Sequence, residues 1–264
     1  MRTIIVGDIH GCYDEFIALL KKVHYKKNKD KLILLGDLMD RGPKSWEMLQ
    51  LAMRWKEECP ETFFMIRGNH DQYILEEPLD MEMSMIWWAV GKEEMKKSFK
   101  KHKDDYRKYI PWIEENMKIY HEENLFRCVH AAIEKEKFEE NPVDLLVKDH
   151  GYSKKNLYTG KLTLLGHTPL EGPTYYDGSG NPGQILPYHT KLSLPKTGAI
   201  CIDTGCVYLK KLTAMIIEDD TYHLEYVDGP KKVTRSKQHY IKWIKKFCDL
   251  VYKLRGIDYD RSHQ

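Results

Sequence analysis

Arg2-Thr-Ile-Ile-Val-Gly-Asp-Ile-His-Gly11 is the stretch whose reading decides the fold. Its first half is β-branched and apolar without polar alternation, the pattern of a strand buried on both faces. The run stops at Gly7, and Asp8 and His10, two metal-type donors, follow at once on a loop closed by Gly11. The arrangement then repeats. Lys31-Leu-Ile-Leu-Leu-Gly36 leads into Asp37-Leu-Met-Asp-Arg-Gly42, and Thr62-Phe-Phe-Met-Ile-Arg67 leads into Gly68-Asn-His-Asp71. Between these strands, Phe16, Leu19, Leu20 and Val23, and later Trp46, Leu49 and Met53, recur at helical spacing. Strand, loop, helix and strand in this order predict βαβ units and the parallel sheet of an α/β protein.

Outward from this core the pattern changes. Residues 72–121 read as a charged helical insert bearing Met81, Met83, Met85, Trp87 and Trp88. It is expected to pack as a helical cap beside these strand-end loops, with its Met and Trp side chains as core. Leu125–Val129 and Leu162–Leu165 predict further strands. Glu171–Pro195, dense in Gly and Pro, predicts a long loop or irregular hairpin. Ala199–Ile202, Thr213–Glu218 and Tyr222–Val227 predict strands of a second, more antiparallel half.

A chain of 264 residues with 42% hydrophobic residues can fill one large core with an appendage, and it is neither low-complexity nor collagen-like. The longest uncharged apolar stretch, around Met83–Val90, is too short to span a bilayer, so no membrane partner is expected. Six cysteines without a C-x-x-C pair are expected to be reduced, and the location cytoplasmic. From Pro230 to Gln264 there are 10 Lys/Arg against 3 Asp/Glu, whereas the 229 residues before them carry 32 against 37. An acidic body suits gathered carboxylates, and the basic end suits an appendage. Tyr240, Ile244, Phe247, Val251 and Leu254 alternate by four and three, which predicts an amphipathic helix docking on the body with its Lys residues as a solvated face. The expected division is therefore a main domain, 1–229, carrying the helical insert, and a basic C-terminal helix, 230–264. Nothing in the sequence bears on oligomeric state.

Five strands end in metal-type donors, the later two at Val129-His-Ala131 and Gly166-His-Thr168. Donors at strand ends in an α/β sheet gather where the loops converge. Mixed carboxylate, amide and imidazole donors suit Mn²⁺, Fe or Zn²⁺ rather than Ca²⁺, and the lack of Cys among them disfavours a structural zinc.

In order, G-D-x-H-G, G-D-x-x-D-R-G, G-N-H-D, V-H-A and G-H-T resemble the motif series of the calcineurin-like metallophosphoesterases. More narrowly the series is similar to the phosphoprotein phosphatase family in its bacterial and phage form, over about Met1–Asp228. Ile202-Asp-Thr-Gly-Cys-Val-Tyr208 followed by Lys211-Leu-Thr-Ala214 is similar to small bacterial members. The resemblance implies a metallophosphatase sandwich of two mixed sheets flanked by helices. It also implies two divalent metal ions, Mn²⁺ with Fe or Zn²⁺ as alternatives. Asp8 and His10 would hold the first, Asp37 would bridge, and Asn69, His130 and His167 would complete the second. His70 would be the general acid, Asp40 its orienting partner, and Arg41 the phosphate fork.

Asp71 is expected to brace its loop, Asp14 to cap the helix after the first loop, and Asp203 to hold a turn through Thr204 and Gly205. Family members have Gly where this chain has Ala132. They also carry a second phosphate-binding Arg, absent from residues 133–165; Lys148 stands near the expected place and would bind substrate phosphate as a point charge rather than a fork, the alternative being a solvated surface lysine. The resemblance implies a phosphomonoesterase of the serine/threonine protein phosphatase type, acting on a phosphorylated protein. The alternative is a symmetrical bis(5′-nucleosyl)-tetraphosphatase acting on a nucleotide; those enzymes tend to lack the second Asp of G-D-x-x-D-R-G, which is Asp40 here. A catalytically silent binding module with nucleic acid on the basic tail is the reading of another class. The complete donor set weighs against it, and nucleic acid is not an expected partner.

Overall fold

The computed structural model describes residues 1–149 and 157–231. Strand β1, Thr3–Val6, has every side chain buried. Ile4 and Val6 join the core beneath helices, while Ile5 faces a second sheet. Burial on two faces is why the run is continuous rather than alternating. Helix α1 (Tyr13–Lys22), strand β2 (Lys31–Leu34), helix α2 (Ser45–Glu58) and strand β3 (Phe63–Ile66) follow. β1, β2 and β3 are parallel neighbours, with Thr3 opposite Lys31 and Leu32 opposite Phe63. The predicted βαβ units are present.

The insert differs at both ends from the helical stretch expected over 72–121. Helix begins at Asn69 with α3 (Asn69–Leu75) and continues as α4 (Met81–Trp87), α5 (Glu93–Lys101) and α6 (Ile110–Asn116). Met117–Lys118 is strand β4, parallel to β3, and Tyr120–Glu122 is strand β5, antiparallel to β6 (Arg127–Val129). The open edge of β3 decides this, because Arg67 N–H donates to the Lys118 carbonyl at 2.7 Å and Met117 is buried. The expectation that the insert's Met and Trp are core holds for Trp87 and Met95, both fully buried. It fails for Met81, which is 82% exposed, and for Met85 and Trp88, which share an outward side of α4 and the turn after it.

After β6 come α7 (Val143–Lys148), β7 (Thr163–Leu165), β8 (Thr174–Tyr176), β9 (Gln184–Ile185), β10 (Leu192–Ser193), β11 (Ala199–Cys201), β12 (Lys211–Glu218) and β13 (Thr221–Asp228). The first sheet runs β10-β13-β12-β1-β2-β3-β4 and the second β5-β6-β7-β11-β8-β9, both mixed. Ile5, Ile33, Leu35 and Ile66 of the first sheet pack on Cys128, Leu164 and Ile200 of the second. Helices α1 and α2 cover the outer face of the first sheet, and Leu146 and Val147 of α7 cover that of the second. The result is the sandwich of two mixed sheets flanked by helices. β1, β2, β3, β6 and β7 all end at one edge, where Asp8, Asp37, Asn69, His130 and His167 follow them. Among the described residues no helix is long and apolar enough to cross a membrane. The amphipathic helix expected beyond Lys231 lies outside the described residues.

Candidate active site

Five residues of this edge have left-handed backbone: His10 (φ 47°), Asp37 (48°), Asp40 (67°), Arg41 (61°) and His167 (69°). Each such non-glycine residue costs on the order of 1–3 kcal/mol and persists only where its surroundings impose it. Their concentration marks the edge as a built site rather than a set of turns. Gly166 shows how closely the parts approach, since a Cβ there would lie 2.2 Å from Asp8 Oδ1. With glycine, the next backbone N–H, that of His167, donates to both Asp8 oxygens at 3.1 Å.

The imidazoles are oriented by carbonyls, which can only accept. His10 Nδ1–H donates to Met39 O at 2.9 Å, and this leaves the lone pair on Nε2. That atom stands 3.3 Å from Asp37 Oδ2 and 2.6 Å from Arg41 Nη1. Nε2 thus accepts from the Arg41 guanidinium while facing the Asp37 carboxylate. Burial, and then the Arg41 charge, holds His10 well below its ordinary value.

His130 is oriented likewise, with Nδ1–H donating to Leu35 O at 2.6 Å. Its Nε2 lies 3.5 Å from Asp37 Oδ2 and 3.3 Å from Asn69 Oδ1. Burial would lower this imidazole, but Asp37 and Asp8 outweigh it and raise it to about 10. Burial likewise opposes the charge on Asp37, yet the His130, His70 and His10 imidazoles prevail and hold its carboxyl well below the usual range. Burial, followed by the Asp203 carboxylate, pushes Asp8 well above that range.

Donor atoms of His10, Asp37 and His70 lie within 4.8 Å of one another, as do those of Asp8, Asp37 and His130. Asp37 belongs to both groups. The expected sets paired Asp8 with His10, whereas the group that contains Asp8 joins it to Asp37 and His130. Asn69 Oδ1 stands 2.9 Å from His167 Nδ1, which places both beside His130. All six expected ligands are therefore gathered at one place. Carboxylate, amide and imidazole donors gathered in two groups that share Asp37 fit divalent cations at this edge.

His70 is fully enclosed. Its Nδ1 meets Asp40 Oδ2 at 2.7 Å, and its Nε2 has no protein partner. Trp87 Nε1 donates to the same Asp40 oxygen at 2.6 Å. Arg41 spreads over the Tyr208 ring, 5.4 Å from its centroid, and its Nε donates to Val90 O at 3.1 Å.

Asp71 braces its loop as expected, accepting from the backbone N–H of Asp37 at 2.8 Å and of Gly68 at 3.0 Å. Asp203 accepts from Gly205 N–H at 2.9 Å and so holds its turn. Asp14 does not cap α1; its carboxylate pairs with Lys44 at 2.7 Å, because that ammonium lies beside the loop. Lys148 pairs with Glu76 at 3.1 Å and lies 5.9 Å from the centroid of Tyr73, whose ring stacks edge-on with His70 at 5.7 Å. Trp87 and Tyr208 escaped the sequence reading as site residues. For Trp87 the available signal was a tryptophan in a run expected to be core, because a buried indole N–H needs an acceptor.

Residues 1–193 match the family described as calcineurin-like phosphoesterase. A symmetrical bis(5′-nucleosyl)-tetraphosphatase of Psychromonas ingrahamii is 48% identical over 75 residues, 28% of this chain and 26% of that protein. The chain thus matches about a quarter of the length of that curated relative. A cold-active protein-tyrosine phosphatase of a psychrophilic Shewanella superposes with a TM-score of 0.58 at 15% identity, covering 87% of this chain and 80% of the other. A protein serine/threonine phosphatase of Saccharomyces cerevisiae gives 0.59 at 13% identity, covering 89% and 82%. At those identities the two structures speak for the fold.

Proposed function

This chain belongs to the calcineurin-like phosphoesterase family, and from that premise we propose that it hydrolyses phosphomonoesters, with phosphoserine or phosphothreonine in proteins as the substrate class. The observation that carries this reading is the Asp40–His70 contact at 2.7 Å. An alkoxide leaving from serine or threonine is a strong base and needs a proton as it departs. With Nδ1 held by Asp40, His70 offers Nε2 for that proton. Asp8, His10, Asp37, Asn69, His130 and His167 would hold two divalent ions, with Asp37 shared. Such ions, Mn²⁺ being our choice, supply a deprotonated water at neutral pH and positive charge against the phosphoryl oxygens. Arg41 contributes a planar fork for two of those oxygens. Nothing in this arrangement requires a covalent bond between phosphorus and the protein.

A second reading, hydrolysis of a bis(5′-nucleosyl) tetraphosphate, draws on the 48% identity over 75 residues to an enzyme of that name. There the leaving group is a nucleotide phosphate, which departs with little need of a proton, so the Asp40 carboxylate behind His70 would be superfluous. A panel of a phosphoserine peptide, p-nitrophenyl phosphate, diadenosine tetraphosphate and a 2′,3′-cyclic nucleotide, with Mn²⁺, decides. We expect the peptide to be turned over with the higher kcat/KM. A tetraphosphate preference of more than about tenfold would move the assignment to the second reading.

A further inference from the structure

Asp40 and Arg41 are consecutive residues, both with left-handed backbone (φ 67° and 61°), and both meet the same stretch of the insert. The fully buried indole of Trp87 donates to Asp40 Oδ2 at 2.6 Å. Three residues on, Val90 O accepts from Arg41 Nε at 3.1 Å, and Gly91 O accepts from Arg41 N–H at 3.4 Å. Gly91 itself has φ 141°, and a Cβ there would lie 2.6 Å from Arg41 N. The chain leaves helical geometry at this point because only glycine lets the two backbones meet so closely. The stretch is anchored behind. The Lys92 ammonium lies 4.0 Å over the Trp87 ring and donates to Glu77 at 2.8 Å, and Glu77 also accepts from the Tyr106 hydroxyl at 2.6 Å.

We propose that Trp87–Gly91 of the insert is a positioning element for the acid–phosphate pair of the G-D-x-x-D-R-G loop. Trp87 fixes the rotation of the Asp40 carboxylate, and Val90 and Gly91 fix Arg41. The inference rests on the phosphomonoesterase reading above. Its physical basis is that one Asp40 oxygen accepts from both Trp87 and His70. An indole N–H bonded to Oδ2 keeps that oxygen turned toward His70 Nδ1. Without it the carboxylate can rotate, and the imidazole loses the partner that aims Nε2 at the leaving oxygen. A tryptophan that merely fills the core would need only an acceptor, with no bearing on the leaving group.

The test compares wild type, Trp87→Phe, Asp40→Ala and the double variant on phenyl phosphate and p-nitrophenyl phosphate with Mn²⁺. For Trp87→Phe we expect kcat on phenyl phosphate to fall roughly 10–100-fold, as a misaligned catalytic group does. KM should stay within about twofold, and the loss should be smaller on p-nitrophenyl phosphate, whose leaving group needs little protonation. In the Asp40→Ala background the same change should cost nothing further. Equal losses on both esters, or full additivity with Asp40→Ala, would overturn the proposal. Gly91→Ala should instead raise KM on both esters and add nothing to Arg41→Ala; a Gly91→Ala loss that adds in full to Arg41→Ala would overturn the Arg41 half.

Should Trp87→Phe fail to fold, the indole N–H resonances of the wild type still decide. One should be downfield, slow to exchange and displaced in Asp40→Ala; its absence would refute the contact. A wild type inactive on both monoesters would refute the phosphomonoesterase reading, while the indole spectrum would still report on the contact.

Discussion

Asp37 accepts the His70 backbone N–H through Oδ1 at 3.0 Å and turns Oδ2 toward the imidazoles of His10 and His130. Asp37→Asn keeps the shape and removes the charge that two cations would share. We expect bound Mn²⁺ per chain to drop from two toward one or none, by elemental analysis after gel filtration, with turnover lost in parallel. Unchanged stoichiometry would refute the shared-ligand role. His130 gives a second, pH-dependent expectation for the metal-free protein. Its folded value of about 10 stands above the ordinary 6.5, so its contribution to stability is complete below about 6.5 and disappears as pH rises through 10. Because a metal must displace that proton, apparent metal affinity should climb roughly tenfold per pH unit across the same window. Calorimetry in buffers of different ionisation heat would detect the released proton, and a pH-independent affinity would contradict it. At this scale the donors were legible because the chemistry needs those residue types at strand ends. The left-handed backbone at His10, Asp37 and His167 was not, since it is imposed by contacts with distant parts of the chain. Nor was the Trp87–Asp40 bond, which joins positions 47 apart.

Among the elements, α3 shows how a helix start can serve a loop. Asn69, His70 and Asp71 form its first turn, so the three side chains fan out at fixed angles toward the second sheet, Asp40 and the β2 loop. Asp71→Ala would leave the Asp37 and Gly68 N–H groups buried without an acceptor. At about 1–3 kcal/mol for each orphaned group, the variant should lose roughly 2–6 kcal/mol. Urea denaturation would measure it, and a loss under about 1 kcal/mol would show that the loop holds itself. The sequence pattern revealed β1, β2 and β3 because two-sided burial makes their apolar runs unbroken. It hid β4 and β5, whose few residues pair at sheet edges and show no period. It also placed the start of α3 three residues late, because Asn69, His70 and Asp71 read as a motif rather than as helix.

For the whole molecule, every site residue falls between Asp8 and Tyr208, and the described strands close at Asp228. The basic, apolar-striped segment that follows is outside the described residues, and its composition suits packing on the body. Truncation after Gly229 should therefore lower the melting temperature and leave Mn²⁺-dependent turnover of a small phosphomonoester within about twofold. A truncated protein that melts normally but has lost turnover would place the segment at the active site instead. The layered architecture was legible as a whole because alternating strands and helices admit few arrangements. Which side of the insert faces water was not, as the exposure of Met81 and Met85 beside buried Trp87 shows.

β1 lies between β2 and β12, with Thr3 opposite both Lys31 and Ile217. During synthesis one flank of the first strand finds its neighbour almost at once, while the other must wait for residue 217. At the ordinary pace of a ribosome that delay is roughly 10–40 s. Throughout it, the growing polypeptide carries the open edge of an apolar strand, a ready template for unwanted pairing. On the proposed ligand set, His167 and the closing strands also emerge late, so a nascent chain would lack a ligand for early metal capture. Metal capture would come after assembly, and the edge of β1 that β12 covers would stay open until then.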